Sequence, residues 1–274
     1  RANTNDLFLK EMNRRLMMSK NNDEYYLDIK SVYKFLMYDT TIIRPSTHKL
    51  FGMDYIKNKD KIIDILNKLD INIVDIIEEK SSLDMIYAKM SNLDFSNFMD
   101  ELNNLLSKFN NLKCTLRIEN DLYTIKREKD EYKVSSLKFK HANSNDSFGA
   151  YEESDGTIRI LELIDILLTN HKLFLIDELD SSLHPVLVDG LLKIFLSSKK
   201  TNQLIITTHE SKTLDFDLVR RDEIWFSEKN KKGASRIYSL EEYKDVARFD
   251  KKIDKAYLEG RFGAVAQIDT NYED

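Results

Sequence analysis

The run LFLIDELDSSLHP, Leu173 to Pro185, limits the fold more than any other stretch of the chain. Four consecutive apolar residues that end at once in two carboxylates describe a short strand buried on both faces, as in a parallel sheet covered by helices. A carboxylate at the C-terminal end of such a strand stands where an α/β sheet presents groups to a ligand. The layout recurs in QLIITTHES, where a second buried strand brings Thr207, Thr208 and His209 to the same sheet edge. On chemistry alone Asp177 is placed to hold Mg²⁺ through water, Glu178 to take a proton from an attacking water, and His209 to hydrogen-bond a γ-phosphate or that water. An ordinary strand end accounts for LFLIDE by itself; the acidic and hydroxyl-bearing continuation, LDSSLHP, favours the ligand-facing reading.

With 274 residues, 42% apolar and 32% charged, the chain can bury a sizeable core in one or two domains. A net charge of -5 and a pI near 5.7 exclude a surface that is basic throughout, so any nucleic-acid contact has to be regional. The single cysteine, Cys114, rules out an internal disulfide and reads first as a small buried apolar residue. No run approaches the roughly 18 apolar residues of a membrane span, and no basic segment followed by an apolar one opens the chain. The expectation is a cytoplasmic protein with no membrane contact. The first residue is Arg1, and RANTNDLFLKEMNRRLMM reads as helix without a start signal, as if the chain began in mid-fold.

Only 2 prolines and 7 glycines punctuate the sequence, so its organisation follows from changes of periodicity. Asp6 to Met37 predicts two amphipathic helices, TIIRPSTHKLFG breaks the pattern, and Asp54 to Leu69 is helical again. NIVDIIEE has the composition of a short strand, and Ser81 to Asn111 returns to helical spacing. CTLRIE, YTIKRE and YKVSSLKFKH alternate apolar and charged residues, the mark of half-buried antiparallel strands. Trp225 and Phe226 in DEIWFSEKN are expected together in the core of a hairpin whose tip carries Lys229, Lys231, Lys232 and Arg236. That basic cluster reads first as a solvated tip and second as a nucleic-acid contact. His48, His141, His171 and His184 have no mutual metal-ligand spacing, so no zinc is assigned.

YEESDGTIRILELIDILLTN carries a further candidate. Gly156 at the start of a strongly apolar helix lets backbone amides and the helix N-terminus face an anion, with Ser154 and Thr157 supplying hydroxyls. Ser-Asp-Gly before a helix is also an ordinary cap, and from these residues alone both readings stand.

In this order SDGTIR, LFLIDELDSSLHP and IITTHES resemble the signature, the Walker B with D-loop, and the switch-histidine elements of ABC-type ATPase heads, the class that includes SMC and RecF proteins. With THESKTLDFDLVRRDEIWFSEK, SRIYSLEEYKDVARFDKK and YLEGRFGAV added, the C-terminal half resembles the AAA/ABC-like ATPases of bacterial abortive-infection systems, of the RloA and AbiL kind. It is similar also to the ATPase of PARIS phage defence.

The resemblance implies an α/β fold: the C-terminal lobe of an ABC-type ATPase head, a mixed or parallel sheet with flanking helices, carrying a helical insertion. It divides the chain into a helical segment leading out of the head (1–45), the insertion (46–116) and the C-terminal part of the head (117–274). Carried over residue by residue, Asp177 is the Mg²⁺-associated aspartate, Glu178 the catalytic glutamate and His209 the switch histidine. Ser154, Asp155, Gly156 and Thr157 match the signature that meets nucleotide held by the opposite subunit, and Asp180 and Ser181 fall in the D-loop. The signature departs from the LSGGQ form. ATP and Mg²⁺ are the implied cofactors, and a homodimer or higher homo-oligomer closed around ATP is the implied assembly. The implied setting is defence against phage, with a nuclease or toxin as the controlled effector. A RecF-like repair role would add DNA as a partner, and a non-catalytic scaffold would need only to bind nucleotide.

No Gly-x-x-x-x-Gly-Lys-Ser/Thr loop occurs in the 274 residues. In ATPases of this class that loop lies in a lobe that precedes the helical insertion. The expectation is therefore the later part of a longer chain, turning over little ATP alone because it lacks the backbone nest that holds the β- and γ-phosphates.

Overall fold

The computed structural model describes residues 24–45, 48–51, 54–108, 113–128, 131–170, 172–243 and 253–265. The chain opens with α1 (Glu24–Lys34), a π-helical turn (Phe35–Asp39), β1 (Thr40–Ile43) and β2 (His48–Phe51). There follow α2 (Lys59–Lys68), β3 (Ile73–Ser81), α3 (Leu83–Tyr87) and α4 (Asn92–Lys108). A meander of β4 (Lys113–Ile118), β5 (Asp121–Glu128), β6 (Glu131–His141) and β7 (Ser147–Gly149) leads to α5 (Asp155–Leu163) and α6 (Asp165–Leu168). The last elements are β8 (Leu173–Ile176), α7 (Pro185–Ser197), β9 (Gln203–Ile206), β10 (Trp225–Lys229), β11 (Ser235–Ser239) and α8 (Ile253–Leu258).

The architecture is mixed α/β. A parallel sheet has the order β1-β8-β9, and a six-stranded antiparallel sheet has the order β2-β4-β5-β6-β3 with β7 beside β6. β8 is the middle strand of the parallel sheet, with Ile176 opposite Ile43 on one side and Ile206 on the other. α7 makes the crossover from β8 to β9, as parallel pairing requires. Its start is defined locally: His184 caps it by accepting from the Val186 amide at 3.3 Å, and Pro185 occupies the first turn, where a missing N–H costs nothing.

Alternation along the antiparallel strands lets that sheet serve two cores. On one face Leu122, Leu137 and Phe139 join Ile158 and Leu161 of α5, Phe174 and Ile176 of β8, and Val188 and Leu191 of α7. On the other face Cys114, Leu116, Ile118 and Ile125 pack against Leu102 and Leu106 of α4. Cys114 is fully buried there, as its sequence context predicts, and burial pushes its thiol up to about 11. Buried Tyr55 crosses the first core to donate to the Leu161 carbonyl at 2.6 Å, and burial foremost, then the Asp165 and Glu162 carboxylates, hold its hydroxyl protonated.

The expected meander is present, but it is the middle of a larger sheet. The stretch 46–116 is not helical throughout: beside α2, α3 and α4 it supplies β2, β3 and β4, and the boundary at 117 falls inside β4. Residues 1–45 likewise contain β1, an edge of the parallel sheet. Helical spacing is legible locally, whereas β3 pairs with β6 across the whole of α3, α4, β4 and β5, and no window of residues shows that pairing. The first of the two helices expected between Asp6 and Met37 lies outside the described residues.

Trp225 and Phe226 are adjacent in one strand and therefore point to opposite faces. Phe226 is buried, while Trp225 is 60% exposed and donates from Nε1 to the Asp222 carbonyl at 3.1 Å. The expectation that both fill the hairpin core is corrected to Phe226 alone. Phe226 stacks on Phe262 and Tyr257, and Tyr238 and Tyr243 both donate to the Phe262 carbonyl, at 2.7 and 2.9 Å. Burial pushes the Tyr238 hydroxyl up to about 12. YLEGRFGAV is thus the plug of this aromatic cluster, with Phe262 between two turns in which Gly260 and Gly263 have positive φ, 77° and 70°. A Cβ on Gly260 would meet nothing within 4 Å, whereas one on Gly263 would lie 2.7 Å from the Tyr238 hydroxyl. Gly260→Ala should therefore cost about 1 kcal/mol, from backbone conformation alone. Gly263→Ala should cost about 2 kcal/mol or more because it also displaces a hydrogen-bonded tyrosine. Urea denaturation of the two variants checks the ranking.

Candidate active site

Pairing on both edges of β8 sets the site. The Asp177 amide donates to the Ile43 carbonyl at 2.8 Å and the Leu179 amide to the Thr207 carbonyl at 3.0 Å, so the polar residues leave the sheet between β1 and β9. Thr207, the first residue past β9, bridges the two carboxylate positions. Its hydroxyl donates to Asp177 Oδ1 at 2.7 Å and accepts from the Glu178 amide at 2.9 Å. Asp177 and Glu178 are both exposed. Glu178 has φ 49°, a left-handed conformation that costs a non-glycine residue about 1–3 kcal/mol and persists where its surroundings over-determine it.

The loop after Glu178 folds back on itself. The Ser181 amide donates to the Glu178 carbonyl at 3.1 Å, and the Leu183 amide to the Asp180 carbonyl at 2.9 Å. The Asp180 carboxylate accepts from the His209 amide at 3.2 Å, which ties this loop to the one that carries the exposed His209 imidazole. Asp177, Glu178, Asp180 and His209 therefore stand at one edge of the parallel sheet, as the two strand motifs predict.

Ser154 caps α5: its hydroxyl oxygen accepts from the Thr157 amide at 3.1 Å and lies 2.9 Å from the Thr157 hydroxyl. Thr157 is buried in this cap, while Ser154 and Asp155 are exposed. The ordinary-cap reading of Ser-Asp-Gly thus describes what Ser154 and Thr157 do within this chain. Gly156 has a different reason to be glycine, since a Cβ there would come within 3.1 Å of the Ser182 carbonyl. Close packing of the helix start on the loop after Glu178 brings Asp155, Ser181 and Ser182 to one cavity of about 480 Å³, lined also by Pro45 and Arg117.

Arg159 and Glu162 were not among the residues singled out by sequence. Arg159 donates to the Asp177 carbonyl at 3.2 Å and to the Glu178 carbonyl at 2.8 Å, and pairs with Glu162 at 3.1 Å. Glu162 pairs in turn with Arg117 of β4 at 2.6 Å. The signal for them was present: two charges three residues apart inside the otherwise apolar run TIRILEL have to be paired if that helix is buried.

The donor set suits a hard cation that keeps most of its water. Asp177 offers a carboxylate of which one oxygen is oriented by Thr207, and among the described residues no group of three or more His, Cys, Asp or Glu could hold a metal. Mg²⁺ needs no such cage, being held through one or two carboxylates plus substrate phosphates. His141 pairs with Glu153 at 2.7 Å and His184 caps α7; His171 lies outside the described residues. Lys231 and Lys232 stand at the exposed hairpin tip, and Arg236 lies over the Tyr238 ring. No helix among the described residues is long and apolar enough to cross a membrane.

The Thr207 hydroxyl is the joint between Asp177 and Glu178, so Thr207→Val should lower stability by about 1 kcal/mol, water replacing part of the loss at this exposed edge. Thr207→Ser should be close to neutral. Chemical denaturation midpoints distinguish the two.

A family model described as AAA domain, putative AbiEii toxin, Type IV TA system matches residues 54–215, which include every site residue named above from Ser154 to His209. No curated protein and no solved structure matches. Covering more than half of the 274 residues, the match makes the chain a member of this AAA-domain family.

Proposed function

We propose that this chain supplies the water-activating edge of an ATPase that works in abortive infection, coupling its nucleotide state to a toxin or nuclease effector. The observation that carries the reading is the joint at Thr207, where one hydroxyl fixes an exposed aspartate and an exposed glutamate side by side at the end of a central parallel strand. Membership of an AAA family whose description names an AbiEii-type toxin system supports the setting.

In this reading Asp177 would hold Mg²⁺ through water, and the ion would supply charge neutralisation at the nucleotide phosphates. Glu178 accepts the proton of the attacking water, and His209 orients that water or the γ-phosphate from the neighbouring loop. The hydrogen bond from His209 N to Asp180 keeps the histidine loop in reach of the loop after Glu178. The phosphates themselves need a loop of the Gly-Lys kind, which these 274 residues do not contain, so another segment has to provide it. Exposed Ser154 and Asp155 at the start of α5 would then meet nucleotide held by a second copy, Ser154 while capping the helix, and binding of ATP would drive that association.

ATP turnover by the protein expressed from its full coding region tests the proposal. Glu178→Gln should lower kcat by about 10²-fold or more while leaving ATP binding intact, since the base is lost and the shape is kept. Chelation of Mg²⁺ should abolish turnover in the wild type. Equal turnover by wild type and Glu178→Gln would exclude Glu178 as the base.

A further inference from the structure

We propose that Arg159 is a positioning residue for Glu178, and that the buried chain Arg117–Glu162–Arg159 ties the geometry of that carboxylate to the antiparallel sheet. The consequence for turnover rests on the ATPase reading; the structural claim does not.

α5 is buried from Thr157 to Leu163, yet it carries two charges whose side chains are 4% and 1% exposed. Charges so placed persist only when paired and hydrogen-bonded. One terminal nitrogen of Arg159 pairs with Glu162. The other donates to two successive carbonyls, those of Asp177 and Glu178, the residues whose side chains face outward at the sheet edge. A planar guanidinium that takes both carbonyls orients two consecutive peptide planes at once. Those planes flank the residue held at φ 49°, so Arg159 acts where backbone conformation decides where the Glu178 side chain points.

The chain continues away from the site. Glu162 accepts from Arg117, which also donates to the Glu119 carbonyl at 2.7 Å and to the Asn120 side chain at 3.3 Å in the β4–β5 turn. Three side chains therefore connect that turn to the Glu178 carbonyl without an apolar contact between them. The Nε of Arg159 is buried with no hydrogen-bond partner. Its guanidinium is thus held by its two terminal nitrogens alone, and both of them belong to this chain of contacts.

Amide hydrogen exchange and steady-state kinetics on the complete protein test the proposal with Arg159→Lys, Arg117→Met and Glu178→Gln. Arg117 hydrogen-bonds to Glu162 and to the β4–β5 turn and not to the loop after Glu178, so a merely local role for it would leave that loop unchanged. The amides of Leu179, Ser181 and Leu183 should exchange about tenfold faster in both arginine variants, with the β5 amides unchanged as a control for the fold. In the same variants kcat should fall about tenfold or more with KM for MgATP within about threefold, because the base is misplaced and the nucleotide contacts are kept. Unchanged exchange at residues 178–183 in Arg117→Met overturns the chain of coupling, and that variant alone decides if Arg159→Lys does not fold. Faster exchange with unchanged kcat overturns the positioning of Glu178. Absence of turnover in the wild type would count against the ATPase reading, and the exchange data would still decide the structural claim.

Discussion

β8 is hydrogen-bonded along both edges, and the rest of the site depends on that. With β1 on one side and β9 on the other, its register is set at Ile43, Ile176 and Ile206, and the residues that follow have one way out of the sheet. β8 is not buried on both faces as its composition predicts: Phe174 and Ile176 are buried, Leu173 and Leu175 on the other face are half-buried, and Ile42 and Ile205 beside them are exposed, because the helices of the first core cover one side of the sheet. The same pairing brings Thr207 of the neighbouring strand level with Asp177, so one hydroxyl can serve both carboxylate positions.

Polar groups inside the first core carry information that its apolar residues do not. Ile158, Leu161, Phe174 and Val188 would pack in several nearly equivalent ways, because apolar contacts are non-directional. The contacts of Arg117, Glu162 and Arg159 are directional, and they fix α5 against β4 on one side and against the turn after β8 on the other. Loss of one member strands the others: breaking a buried pair typically costs about 3–5 kcal/mol, more than a core of this size can lose without consequence. Gly156 adds a steric term to the same junction, since only a residue without a Cβ lets the helix start approach the Ser182 carbonyl undisturbed.

The C-terminal elements follow a different logic. There the hairpin of β10 and β11 buries Phe226 and Tyr238 on one face and leaves Trp225 and Ile237 exposed on the other. Phe262 completes it by stacking on Phe226 while its carbonyl takes two tyrosine hydroxyls. The turns that place Phe262 need two glycines at positive φ, which accounts for the glycines of YLEGRFGAV without any ligand.

What the sequence by itself determined is whatever is local: the two apolar runs that stop at polar residues, the alternation of the meander, and the helical spacing of α2 and α4. Each follows from the period of a single element and the chemistry of its ends. Those signals were enough to place Asp177, Glu178, Asp180 and His209 at a common edge. Tertiary structure alone decided that β1 and β2, from the stretch read only as a break in helical spacing, and β3, read as a short strand, join two sheets, because strand pairing is a contact between residues far apart in the chain. It alone decided that Trp225 faces solvent and Phe226 the core, since a register shifted by one residue exchanges the faces. The partners of Arg159 were likewise undecided by sequence: a buried charge announces that it must be paired, but only the packing of α5 between β4 and β8 says with what.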